Sequence, residues 1–283
     1  MNVDRINKFR SADQSRIEGW FFDLDQIAFF ELFQLQNQLL QRPDLTHPIG
    51  DIAEIGVFHG KSLVYLSLLK RSKERLFGFD LFAEDHLDKT NGNLREYGDN
   101  ENTRLIEGLT TEIAREDLDN MLSTPLRFLH IDAGHEYHEV LEQLLLFSPY
   151  VLQQGIIAMD DYQDREFPGI EAAVLDFCEI DRPRRFVPFL SGGNKMFLCL
   201  EHMSVLFQQR LVQRPNFENS SRLTRVRDFN ILVMRSKLPV PADNILSQLL
   251  GSAFPRRSDD DLSLNQKSSS FSQLTFGSGV SRD

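Results

Sequence analysis

Residues 52–70 read IAEIGVFHGKSLVYLSLLK. An apolar run from Ile52 to Val57 enters a turn carrying Gly56 and Gly60, then leaves through a segment whose apolar residues recur at helical spacing. Strand, glycine turn and helix start in succession make a binding site. Glycine lets the backbone approach a ligand, and the first turn of a helix offers free N–H donors. The spacing Gly-x-x-x-Gly is neither the G-x-G-x-x-G of dinucleotide sites nor the longer glycine loop of a P-loop. Taken alone, the turn suits a nucleotide-like ligand and is equally compatible with an ordinary strand-to-helix connection.

Outward from this turn, short apolar runs alternate with helical patterns up to about residue 200. Strands are predicted at Ile52 to Val57, Leu76 to Phe79, Arg104 to Glu107, Leu126 to Asp132 and Ile156 to Asp160, with two more near Phe186 to Val187 and Met196 to Leu200. Helices are predicted at Ser62 to Arg71, Thr111 to Met121, Tyr137 to Phe147 and Ile170 to Ile180. The pattern predicts an α/β fold, Rossmann-like and doubly wound, with a mostly parallel seven-stranded sheet and helices on both faces. Ile17 to Leu40 adds one or two helices before the sheet; its phenylalanines read as core packing, or as a cover for a substrate cleft.

This divides the chain into an N-terminal helical cap or lid (1–45), a main domain (46–203), a C-terminal extension of unclear structure (204–251) and a serine-rich, charged tail expected to be disordered (252–283). RLTRVRDFNILVMRSK in the extension has room for one strand.

A net charge of -11 leaves no general basic surface for phosphates or anionic lipid, so neither nucleic acid nor a membrane is expected as a partner. Arg182, Arg184 and Arg185 form only a local cluster. Cys178 and Cys199 lack the spacing of a zinc or disulfide framework and read as small core residues. With no apolar signal core at the N-terminus and no run long enough to span a bilayer, a cytoplasmic location is expected.

Carboxylates carry the chemistry. Glu54 lies within a strand, where a charge needs a partner, and Asp80 ends the next strand, where α/β folds commonly bind ribose hydroxyls. LRFLHIDAGHEYHEV and GIIAMDDYQD bring Asp132, Asp160 and Asp161 to the carboxyl edge of neighbouring strands. Three such groups repel unless a cation binds among them, and Mg2+ takes oxygen ligands of this kind. His135, three residues past Asp132, is the preferred general base, with His59, His130 and His138 as alternatives.

In order, EIGVFHGKS, GFDLF, RLIEG, FLHIDAGHEYHEV, VLQQGIIAMDDYQD and NKMFLCL resemble the motifs of class I S-adenosylmethionine-dependent methyltransferases. More narrowly they resemble metal-dependent sugar O-methyltransferases of the macrocin and mycinamicin type and the cephalosporin-hydroxylase-like group. The resemblance covers about residues 17 to 200. It implies that Glu54, Gly56, Gly60 and Ser62 line the methionine and ribose portions of the donor. Asp80 would bind the ribose diol, Glu107 and Gly108 would lie near adenine, and Asp132, Asp160 and Asp161 would ligate a divalent metal. Several sugar methyltransferases carry an aspartate two residues beyond the first metal ligand. Here that position is Gly134, which leaves the base to His135.

The expected activity is methyl transfer to a hydroxyl of a small sugar- or polyol-like acceptor, assisted by Mg2+. A nicotinamide-dependent oxidoreductase and a non-catalytic donor-binding scaffold are the alternatives, and self-association into a homo-oligomer stays open.

Overall fold

The computed structural model describes residues 3–40, 50–180, 183–218 and 221–235. The tail expected over 252–283, all of 236–251 and Arg182 lie outside the described residues.

Two helices, α1 (Val3–Ser11) and α2 (Asp23–Leu39), precede β1 (Asp51–Ile55), α3 (Lys61–Leu69), β2 (Leu76–Asp80), α4 (His86–Glu96) and β3 (Thr103–Glu107). The chain continues through α5 (Arg115–Met121), β4 (Leu126–Ile131), α6 (Tyr137–Phe147), β5 (Val151–Met159), α7 (Pro168–Glu179), β6 (Phe186–Gly192) and β7 (Lys195–Leu200). It ends in α8 (Glu201–Leu211), α9 (Pro215–Glu218), β8 (Ser221–Val226) and β9 (Phe229–Met234).

The sheet order is β3-β2-β1-β4-β5-β7-β6-β9-β8. β1 to β5 pair in parallel, while β7 runs antiparallel to both β5 and β6. The chain winds outward from β1 to β3 and then returns to β4 on the other side of β1. The carboxyl ends of β1 and β4 thus flank a topological switch point, where open α/β sheets leave a crevice for ligands.

Nine strands stand where seven were expected. β8 and β9 form a hairpin around Arg227-Asp228, and β9 extends the sheet in parallel along β6, opposite Leu190 and Ser191. Leu232 and Met234 join the core on one face and Phe229 and Ile231 on the other. β8 is half exposed at the sheet edge, and its residues SRLTRV hold no continuous apolar run. The helix α4 was likewise not predicted, because it buries only Thr90 and Leu94.

One core lies between the sheet and the helices α1, α2, α3 and α8, and the other between the sheet and α5, α6 and α7. The phenylalanines of α2 pack inward: Phe29 and Phe33 each lie 4.9 Å from the Phe128 ring on β4. Only the segment before α2 turns toward the crevice, with Trp20 79% exposed.

Candidate active site

Gly56 holds the switch point open. Its φ is +83°, and a Cβ there would lie 1.9 Å from the Asp132 carbonyl oxygen, so any side chain would force the carboxyl ends of β1 and β4 apart. Gly60, also at positive φ, starts α3. Asp80 at the end of β2 clamps the turn between them. One carboxylate oxygen accepts the N–H groups of Val57 at 2.6 Å and Phe58 at 2.9 Å, and the other accepts that of Phe82 at 2.7 Å. A carboxylate has about four acceptor positions, so capacity remains for a ligand hydroxyl.

Two clefts meet at this turn, sharing Gly56 and Asp80. The smaller, about 440 Å3, runs past Gly108, Leu109 and Thr110 to His138 and Glu139 on α6. The larger, about 630 Å3, reaches from Ser62 past Asp132, His135, Asp160 and Asp161 to Trp20 and Phe22. Together they make one elongated groove, with Asp80 at its waist.

Asp132 and Asp160 reach the wall of the larger cleft from the ends of β4 and β5, and the fold supplies cations behind them. Lys195, 1% exposed at the start of β7, places its ammonium against Asp160 Oδ2 and 3.9 Å from Asp25. His130 Nε2 lies 3.5 Å from that Asp160 oxygen, and His130 Nδ1 lies 2.6 Å from Glu54 Oε1.

Burial alone would raise the pKa of Asp160, but Lys195 and His130 overcome it and hold the carboxyl well below the usual range. Burial and the charge of Asp160 push Asp132 well up. Burial also lifts Asp25 to about 6, and burial and Asp160 raise Asp161. Burial and Lys195 pull His130 down, yet its hydrogen bonds with Asp160 and Glu54 leave it raised.

His135 stands 44% exposed at the cleft edge. Its ring stacks on Phe167, with centroids 4.0 Å apart, and its Nε2 lies 3.4 Å from Asp161 Oδ2. Asn194 Nδ2 donates to the other oxygen of Asp161 at 2.9 Å. A histidine fixed by a carboxylate and a stacked ring, with its second nitrogen bare, is equipped to take a proton.

Of the residues singled out in the sequence, the larger cleft gathers Gly56, Ser62, Asp80, Asp132, His135, Asp160 and Asp161, and the smaller adds Gly108. Glu54 is fully buried on His130 and does not line either cleft, and Glu107 stands exposed at the end of β3. Lys195 was missed, although a lysine opening the apolar run MFLCL is the kind of charge that needs a partner. Asp25 was hidden on a helix read only for its apolar face.

Residues 53–162 match the sequence profile of a family described as a methyltransferase domain. Over these residues the chain is similar to that family. The sheet is Rossmann-like, with a groove at the β1/β4 switch point. An uncharacterized protein of Acanthamoeba polyphaga mimivirus is 29% identical over 177 residues, 61% of this chain and 76% of that one. Among solved structures, CalS11, a TDP-rhamnose 3'-O-methyltransferase of calicheamicin biosynthesis, aligns at 19% identity and TM-score 0.46, covering 62% of this chain and 79% of its own. An O-methyltransferase from Bacillus cereus in complex with SAH aligns at 15% identity and TM-score 0.48, covering 70% and 90%.

The donor set at the cleft wall suits a hard divalent cation. Carboxylate oxygens of Asp132 and Asp160 fall within 4.8 Å of each other and of a His130 nitrogen. Lys195 and His130 face five carboxylates, those of Asp25, Glu54, Asp132, Asp160 and Asp161, so negative charge is left over at the cleft wall.

Proposed function

We propose that the chain is an S-adenosylmethionine-dependent O-methyltransferase acting on a small hydroxylated acceptor of sugar or polyol type. One observation carries the choice of donor. Asp80, Asp132, Asp160, Asp161, Asp164 and Glu166 line the larger cleft with only Lys61 and His135 as basic neighbours, and the Lys61 ammonium is already bonded to the Gly19 carbonyl. Such a wall attracts a sulfonium cation and repels the diphosphate of a nicotinamide dinucleotide. The oxidoreductase reading therefore fails on charge as well as on glycine spacing.

In this reading adenine lies in the smaller cleft beside Gly108, the ribose diol bonds Asp80 at the waist, and the methionine portion passes Gly56 and Ser62. The acceptor enters between Trp20 and Phe167. Its hydroxyl oxygen attacks the sulfonium methyl in line, forming the O–C bond as the C–S bond breaks and leaving a neutral thioether. With Nε2–H turned to Asp161, 3.4 Å away, the lone pair on Nδ1 is left to take the hydroxyl proton. A divalent ion on Asp132, Asp160 and Asp161 would orient acceptor oxygens and lower the hydroxyl's pKa.

Calorimetry with S-adenosylmethionine and NAD, alongside label transfer from the donor to a panel of sugars and phenols, tests the proposal. Donor binding without NAD binding is expected, and preferential NAD binding sinks it. Chelator should abolish turnover while leaving donor affinity intact; undiminished turnover removes the ion from the scheme.

A further inference from the structure

We propose a second metal site, for a borderline divalent ion such as Zn2+, built from His59, Asp85 and His86 on the outer side of the glycine turn. One ligand atom from each of the three lies within 4.8 Å of the others. Two imidazole nitrogens and one carboxylate suit a transition ion, whereas the cleft cluster offers one nitrogen and two carboxylates.

His59 is the anchor. It is 4% exposed, and its buried Nε2 has no hydrogen-bond partner. A buried ring nitrogen left unpaired is costly, and a bound ion would satisfy it. The other nitrogen, Nδ1, lies 3.3 Å from Glu18 Oε2. A histidine ligand that donates one N–H to a carboxylate has its tautomer fixed, with the lone pair on the opposite nitrogen.

The surroundings hold this geometry without an ion. Thr90 Oγ1 donates to the Phe58 carbonyl and Asn93 Nδ2 to the His59 carbonyl, both at 2.8 Å, so α4 is tied to the turn. The His86 ring stands edge-on to His59, with centroids 4.7 Å apart. Asp85 pairs with Lys89 at 3.1 Å, an exposed contact that an ion readily displaces. Three protein ligands leave a fourth position open. Because Phe58 stacks on His59 and lines the larger cleft, an ion here would clamp the turn that cradles the donor.

The test is titration of the tag-free chain with Zn2+ by calorimetry and with Co2+ by visible absorption. One ion per chain is expected to persist in Asp160→Asn, with the d–d bands of nitrogen-ligated, low-coordinate Co2+. His86→Ala should weaken binding at least about tenfold and Glu18→Gln about tenfold, the usual effect of losing an outer carboxylate. Asp160→Asn should leave it unchanged, which separates this ion from any bound at the cleft. Far-UV circular dichroism checks that each variant folds. Absence of Zn2+ and Co2+ binding by the wild type, or undiminished binding by folded His86→Ala, overturns the proposal. Neither outcome bears on donor binding, so this site and the methyltransferase reading stand or fall separately.

Discussion

Lys195→Met removes a buried charge and keeps a long unbranched side chain, so it isolates electrostatics from packing. Lys195 contacts Asp160 and lies near Asp25, and both carboxylates are almost fully buried. Deleting one partner of a buried pair costs about 3–5 kcal/mol, because the other is left uncompensated. At roughly 2–4 °C per kcal/mol, the melting temperature should fall by roughly 6–20 °C. The pH dependence has a definite sign. Lys195 depresses the folded pKa of Asp160, so its contribution is full above the unfolded carboxylate pKa of about 4 and fades as pH falls below it. Without Lys195, Asp160 takes up its proton in the folded state at higher pH. The deficit of the variant should therefore be largest near pH 8 and shrink toward pH 5. Urea unfolding at the two pH values measures it, and Asp160→Asn/Lys195→Met should recover much of the loss. A deficit below about 1 kcal/mol at pH 8, or one that grows on acidification, refutes the assignment of Lys195 as the counter-ion.

His135→Asn should lower kcat by about 10²- to 10⁴-fold with unchanged donor affinity, read by single-turnover label transfer and calorimetry. Asp80→Asn trades an acceptor oxygen for an NH2 group facing either Phe82 N–H or the Val57 and Phe58 N–H pair. A stability loss of about 1–3 kcal/mol in urea and weaker donor binding are expected. Gly56→Ala should abolish donor binding, since its Cβ meets the Asp132 carbonyl; calorimetry checks it. Burial raises Asp25 from 3.8 to about 6, which penalises the fold above that window and not below it. Stability should thus fall by up to about 3 kcal/mol as pH rises from 4 to 6, and Asp25→Asn should remove that component.

The parallel core of the fold was legible because β1, β2, β4 and the second half of β5 are buried on both faces and read as largely apolar runs. The hairpin β8–β9 was not, because an edge strand half in water carries no such run. In the groove, Gly56, Asp80, Asp132 and Asp160 were legible since strand ends of an α/β sheet have a fixed place. His135 was legible as a candidate, but not its support: Phe167 and Asn194 come from loops after β5 and β6, and no spacing in the sequence ties them to it.

Glu54, His130, Asp160 and Lys195 mark where sequence reasoning must stop. Each lies in or beside an apolar strand, and a charge in that setting implies a partner. Which partner depends on strand order and register. β1 and β4 are adjacent with Glu54 opposite His130, and β5 and β7 are antiparallel with Met159 opposite Met196, so Asp160 and Lys195 follow one step further on. The four residues form a row across β1-β4-β5-β7 in which carboxylate and basic group alternate. A metal inferred from three aspartates alone overlooks this row, since half of it is the cation supply of the fold. What remains for a bound ion, or for the sulfonium itself, are the carboxyl groups of Asp132 and Asp161 at the cleft-facing end.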